Sequence, residues 1–178
     1  KYGTSQKSDR AADGYSVLGI PNVVSGRIIT ENANQTSLTE AEAAKYEIQK
    51  NDILAVRTNG NPEYVGRLAR ADRDLPKTVF ASYLIRIRLD DRKVLPEYIE
   101  ACATRWPLRP SLTKSATTSA GNYNINTDGI SQAKIILPSL EIQRDIVEMA
   151  SAIGQRIAKE QVVVSQLKVT LASLAQEL

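Results

Sequence analysis

The stretch SLEIQRDIVEMASAIGQRIAKEQVVVSQLKVTLASLAQEL, residues 139–178, decides the architecture. Within it Ile146, Ala150, Ile153, Ile157, Val164, Leu167, Leu171, Leu174 and Leu178 succeed one another at alternating spacings of four and three, interrupted only by Glu160. That period lines them up as one stripe of an α-helix, the seam of a coiled coil. Pro138 breaks the chain in front of it and Ser139 can cap it, so a helix is predicted over 139–178. At 1.5 Å per residue it would reach about 60 Å, longer than a small domain needs to cover its own core. Gly154 costs such a helix about 1 kcal/mol relative to alanine, a tolerable defect. A seam this long calls for a partner helix. Ile146, Ile153, Ile157, Val164, Leu167, Leu171, Leu174 and Leu178 are expected to meet it.

Residues 1–138 have a different texture: short β-prone runs and short helical stripes, separated by polar segments. They predict a compact α+β domain ahead of the helix. Tyr15 to Ile20, Arg27 to Ile29, Ile53 to Arg57, Tyr64 to Ala69, Leu84 to Leu89 and Lys134 to Leu137 are the expected strands. The second pair flanks the polar segment Thr58 to Glu63 and reads as a hairpin with a polar tip. Arg86 and Arg88 fall on one face of the Leu84 strand. Ser37-Leu38-Thr39-Glu40 fits a capping box for a short helix through about Tyr46. Pro96 opens another helix, whose stripe of Ile99, Cys102, Ala103 and Trp106 ends at Pro107. Residues 1–14, 30–37 and 111–128 are polar and predict loops; the last is long enough to suggest function.

Composition narrows the chemistry. The chain has 178 residues and no histidine, so it lacks the commonest general base and metal ligand. A single cysteine, Cys102, excludes an internal disulfide and a Cys/His zinc site, and with no signal-like segment the expected setting is a reducing cytoplasm. No apolar run approaches the roughly 20 residues that cross a bilayer. The net charge of +3 permits an anionic partner without demonstrating one. Residues 1–140 hold 19 basic and 15 acidic side chains, against 4 and 5 in residues 141–178, so an anion-binding surface belongs before the helix. Lys1 stands where a start methionine would, and the residues after it have the texture of a loop interior, as expected of a piece of a longer chain.

Catalytic motifs fare poorly. Asn61-Pro62-Glu63-Tyr64 approaches the Asn-Pro-Pro-Tyr motif of amino-methyltransferases, but Glu63 replaces the second proline and no glycine-rich cofactor loop precedes it. Gly3 to Ser8 echoes half of a phosphate-binding loop with its first glycine missing. Serine triads are excluded without histidine. Asp52, Asp72, Asp74, Asp90 and Asp91 lie in turns, where solvated aspartate is the ordinary outcome.

Several segments, in order, carry a family resemblance. Tyr2-Gly3-Thr4-Ser5 and Val17 through Ile28 resemble the opening of target-recognition domains in the specificity subunits of type I restriction-modification systems. Asp52 through Asn61, then Val65-Gly66-Arg67, resemble that family's next block. Leu137-Pro138-Ser139-Leu140-Glu141-Ile142-Gln143 is similar to its junction into a spacer helix. Gly19 stands where the family usually has arginine, and Ile142 where it often has glutamate. The resemblance implies an α+β recognition domain with a curved, partly β-helix-like sheet over 1–138, and a spacer helix over 139–178. It further implies a non-catalytic subunit that reads one half of a split duplex-DNA target and docks modification and restriction subunits. Those partners, not this chain, would use S-adenosylmethionine, ATP and Mg. The groups expected to face DNA are Thr4, Ser5, Lys7, Arg27, Asn59, Asn61, Tyr64, Lys114, Ser119, Asn122 and Tyr123, because they sit in the polar segments. Two other readings remain open: a recognition domain cut from a fused restriction-methylation enzyme, and a coiled-coil adaptor that does not touch DNA.

Overall fold

The computed structural model describes residues 1–9, 13–103 and 107–177, with side chains through Ser173. Trp106, expected to end the Ile99 stripe, and Leu178, expected to end the long seam, lie outside the described residues, as does the side chain of Leu174.

The organising element is β3, Ile53–Val56, a four-residue apolar run buried on both faces. Successive side chains of a strand point to opposite sides. Leu54 and Val56 therefore enter one cluster with Leu18, Val23, Phe80 and Leu84, while Ile53 and Ala55 enter a second with Val65, Leu108, Leu112 and Ile125. Each fully buried Leu or Ile contributes about 1.5–3 kcal/mol of transfer free energy, so one short strand anchors two cores. Antiparallel partners flank it: β5, Leu68–Arg70, on one side and β7, Leu84–Ile87, on the other.

A second sheet holds β1, Tyr15–Leu18, between antiparallel β2, Asn34–Thr36, and parallel β6, Thr78–Phe80. A third joins β4, Thr58–Asn59, to β9, Asn122–Asn124, and β9 to β8, Thr117–Ser119. The helices are α1, Glu40–Ala43; α2, Pro96–Cys102; α3, Leu108–Lys114; α4, Thr127–Ser131; and α5, Leu140–Glu177. The mixed α and β content and the long terminal helix match the sequence reading. The strands are divided among three three-stranded sheets.

Several local expectations are corrected. Asn34–Thr36, expected as loop, forms β2 because its backbone completes the β1 edge. Arg27 to Ile29, expected as a strand, makes one bridge, Arg27 to Arg70, beyond the turn at Gly26. The second strand of the expected hairpin begins at Leu68 rather than Tyr64, because Tyr64 to Arg67 are taken up in turns. Residues 111–128 carry the end of α3, the β8–β9 hairpin and the start of α4. Lys134 to Leu137 form no strand; Ile135 packs on the second core, and the Ile136 carbonyl accepts from the Tyr98 hydroxyl at 2.7 Å. Burial, with Cys102 beside it, pushes the Tyr98 hydroxyl up to about 12.

Asp52 is the largest correction. Expected as a solvated turn residue, it is 1% exposed. It accepts from Nε and Nη2 of Arg88 at 2.7 Å each and from the Gln49 amide at 2.9 Å, with Arg86 Nε 3.9 Å away. The shared face of Arg86 and Arg88, legible in the sequence, exists to meet this carboxylate. Hydrogen bonding to Asp52 pushes the Arg88 guanidinium up, whereas burial lowers that of Arg86.

The capping box also moves by two residues. Thr39 is the N-cap, its hydroxyl accepting from the Glu42 amide, while Glu42 accepts from the Thr39 amide at 2.9 Å and hydroxyl at 2.8 Å. Those bonds hold the Glu42 carboxyl below its ordinary value. The stabilisation is therefore present at neutral pH and is lost as pH falls through that depressed value. Thr39→Ala is expected to cost about 1 kcal/mol in urea unfolding at pH 7.

Candidate nucleic-acid interface

The sheet change at Arg57 builds the surface. Arg57 donates its amide to the Tyr83 carbonyl at 3.0 Å and accepts from the Ile125 amide at 2.8 Å, so the chain leaves the β3 sheet and pairs with β9. Thr58 then faces Asn124, and Asn59 faces Tyr123. Across β9, Asn122 pairs with Ser119. The hairpin closes through Ala120 and Gly121 at φ 48° and 77°, the left-handed pair of a type I′ turn. Asn59, Ser119, Asn122 and Tyr123 thus share one small sheet, with Tyr123 half-buried against the second core.

Asparagine side chains organise the adjoining loop. Asn59 Oδ1 accepts from the Asn61 amide at 2.8 Å, and Asn61 Oδ1 accepts from the Glu63 amide at 3.0 Å, two successive Asx turns. Among the described residues neither Nδ2 group has a partner, so both are available as donors. Below them Arg67 donates to the Glu63 and Val24 carbonyls at 2.9 and 2.8 Å, and Arg109 to the Glu63 and Val65 carbonyls. Burial lowers the Arg109 guanidinium from its ordinary value. These two arginines clamp the loop. Tyr64, expected to face DNA, is half-buried against the first core with the Arg67 guanidinium 4.9 Å from its ring centre.

From Thr113 to Thr127 the one charged side chain is Lys114, exposed in the last turn of α3 and three residues before β8. The N-terminal segment is tied to this region through Tyr2, whose hydroxyl accepts from the Thr127 amide at 3.2 Å and whose ring lies 4.9 Å from the Arg57 guanidinium. Ser5 and Lys7 are exposed. Thr4 is 5% exposed, its backbone bonded to Phe80 and Ser82 and its hydroxyl accepting from the Gln6 amide, so it shapes the segment from within. Arg27 is exposed but stands elsewhere, beside a groove of about 700 Å³ lined also by Arg70, Glu97, Glu100 and Gly154 of α5.

Sequence reasoning missed Arg57 and Arg109. Arg57 Nε is buried without a hydrogen-bond partner among the described residues, and the stacked Tyr2 ring holds the guanidinium. Its signal was its place directly before the Thr58 to Asn61 polar run. Arg109 carried none, since its partners are backbone carbonyls distant in sequence. No cluster of three His, Cys, Asp or Glu suited to a metal occurs among the described residues, and no helix there is long and apolar enough to cross a membrane.

Residues 2–168 match the family model of the type I restriction modification DNA specificity domain. The chain belongs to this family. As a specificity domain it is 30% identical over 132 residues to the type I restriction enzyme StySPI specificity subunit of Salmonella potsdam, covering 74% of this chain and 28% of that protein. It is 27% identical over 146 residues to the EcoKI specificity subunit of Escherichia coli K12, covering 82% and 31%. The specificity domain therefore spans about a third of the curated relatives it matches. The HsdS subunit from Thermoanaerobacter tengcongensis superposes with a TM-score of 0.63 at 16% identity, over 93% of this chain and 43% of that one. A chain from a structural study of type I R-M complex assembly and conformational transition gives 0.67 at 18%, over 98% and 40%. At these identities the two structures establish the fold.

Proposed function

We propose that this specificity domain reads base pairs of duplex DNA with the β4–β9–β8 sheet and its flanking polar segments, as one half of a bipartite recognition unit, and performs no chemistry itself. Support comes chiefly from one observation: Asn59, Ser119, Asn122 and Tyr123 lie on a single sheet, Ser119 and Asn122 as one exposed cross-strand pair and Asn59 opposite Tyr123 on the other face, with Asn61 and Lys114 flanking the sheet in sequence. Carboxamides suit the task because the donor and acceptor of Asn match the N6 and N7 edge of adenine in the major groove. Ser5, Lys7 and Lys114 supply hydroxyl and ammonium groups of the kind that bond phosphates and fix register. Thr4 and Tyr64 shape the surface from beneath, and Arg27 contacts phosphate only if the duplex extends toward α5.

Methylation and cleavage belong to partner subunits carrying S-adenosylmethionine, ATP and Mg. Helix α5 offers Ile153, Ile157, Val164, Leu167 and Leu171 as an exposed apolar row to a helix from a second recognition domain or a second copy, and docks the modification subunits.

The test uses the full-length protein assembled with its modification subunits and a pool of duplexes randomised in sequence. Wild type is expected to retain a consensus, with affinity that falls steeply as salt rises. Asn59→Ala, Asn122→Ala and Tyr123→Phe are each expected to relax preference at a defined position, by about 1–3 kcal/mol where a bidentate contact is lost. Unchanged affinity and unchanged preference in all three would reject the assignment.

A further inference from the structure

Gln143 lies one turn into α5 and is fully buried, the one amide-bearing side chain among the largest such groups of the described residues. Its three side-chain hydrogen bonds all go to backbone. Oε1 accepts from the Leu95 amide at 2.8 Å, and Nε2 donates to the carbonyls of Lys93 at 3.1 Å and Pro138 at 2.9 Å. Leu95 is the N-cap of α2 and brings no side-chain cap of its own. One carboxamide therefore joins the entry to α2, the loop before it and Pro138, two residues ahead of α5. The Tyr98 hydroxyl fixes the same approach from α2 by holding Ile136.

The first turns of α5 pack on α2, and every described side chain from Gln155 to Ser173 is exposed. Beyond the joint α5 is a lever. From Gln143 to Glu177 it extends about 51 Å at 1.5 Å per residue. A change of about 10° in the exit angle moves the far end by about 9 Å, which at 3.4 Å per base-pair step is between two and three base pairs of duplex.

We infer that Gln143 is a positioning residue that sets the angle between the recognition domain and α5, and thereby the number of base pairs separating the two halves of the DNA target. The assignment rests on the proposed recognition role. It concerns spacing alone: Gln143 touches none of the groups assigned to base contact.

Two measurements test it, on Gln143→Leu, which removes all three bonds in similar volume, and on Gln143→Glu, which keeps the acceptor for Leu95 and serves if the leucine variant does not fold. In the first, the full-length assembled protein selects from randomised duplexes. Wild type returns two half-sites at one spacing, and the variants return the same half-sites with spacings spread over at least one neighbouring value on each side. Variants that keep the half-sites and the single spacing overturn the inference. In the second, nitroxide labels at Lys45→Cys and Lys159→Cys, in a Cys102→Ser background of this chain, report the distance between domain and helix. A narrow distribution in wild type should broaden in the variant, and an equally narrow one overturns the inference whatever the DNA selection shows. A wild-type protein that selects no consensus refutes the recognition role instead, leaving the distance measurement to decide the joint.

Discussion

Asp52→Asn is expected to lower stability by about 3 kcal/mol, because removing one partner of a buried ion pair leaves the others uncompensated. The carboxylate is enclosed, and the bonds it accepts come from Arg88 and the Gln49 amide. Asparagine keeps the shape but turns an NH2 group toward donors and withdraws the charge. Arg86, 12% exposed and 3.9 Å away, then loses its counter-charge in a site that already disfavours its charged form. Arg88 is 49% exposed and regains water, which places the loss at the lower end of the usual 3–5 kcal/mol range for broken buried pairs. The exposed Arg73–Asp72 pair, at 64% and 70%, is the control, and its removal should change little. Urea unfolding of both variants would measure the contrast. A loss below about 1 kcal/mol for Asp52→Asn would mean that the site relaxes around the missing charge.

Gly3→Ala should be comparably damaging through backbone geometry alone. A Cβ at Gly3 would overlap the carbonyl oxygens of Phe80 and Ala81, backbone atoms that no side-chain rotation can clear. The segment is held there by the Gly3 amide bonded to the Leu84 carbonyl at 3.3 Å and the Thr4 amide bonded to the Phe80 carbonyl at 2.8 Å. Either the N-terminal segment lifts away, or β6 shifts and disturbs Phe80 in the first core. Overpacking of this kind costs about 1–3 kcal/mol, and a clash with backbone belongs at the upper end. Since Tyr2, Ser5 and Lys7 ride on the same segment, DNA affinity should fall together with stability. Gly154→Ala, where an added Cβ meets nothing within 4 Å, should be neutral or slightly stabilising in the same assay.

The sequence made the long helix legible because a 4–3 apolar period over about nine turns has no competing explanation. It also exposed β3, as four consecutive apolar residues, and the start of α2 at Pro96. Sheet membership escaped it. Thr58–Asn59 looked like the tip of a local hairpin because propensity and turn residues report on neighbours in sequence, whereas β4 pairs with β9 more than 60 residues away. The same limit hid β2 and β6, short polar or mixed strands whose pairing is decided by the β1 edge they complete. Asp52 looked solvated for a related reason: its turn position was visible, but the arginines that enclose it arrive from β7 and the residue directly after that strand. At the candidate interface, residue chemistry identified the polar segments, and only the fold could separate Asn59, Asn122 and Tyr123 on the shared sheet from Arg27 at the α5 groove.

The most direct test of the recognition surface is hydrogen exchange on the assembled protein with and without the duplex it selects. Slowed exchange is expected at residues 5–8, 58–61 and 117–124, with the exposed half of α5 unaffected by DNA alone. Protection confined to the α2 and α5 groove, with residues 58–61 and 117–124 exchanging as fast as in the free protein, would contradict it.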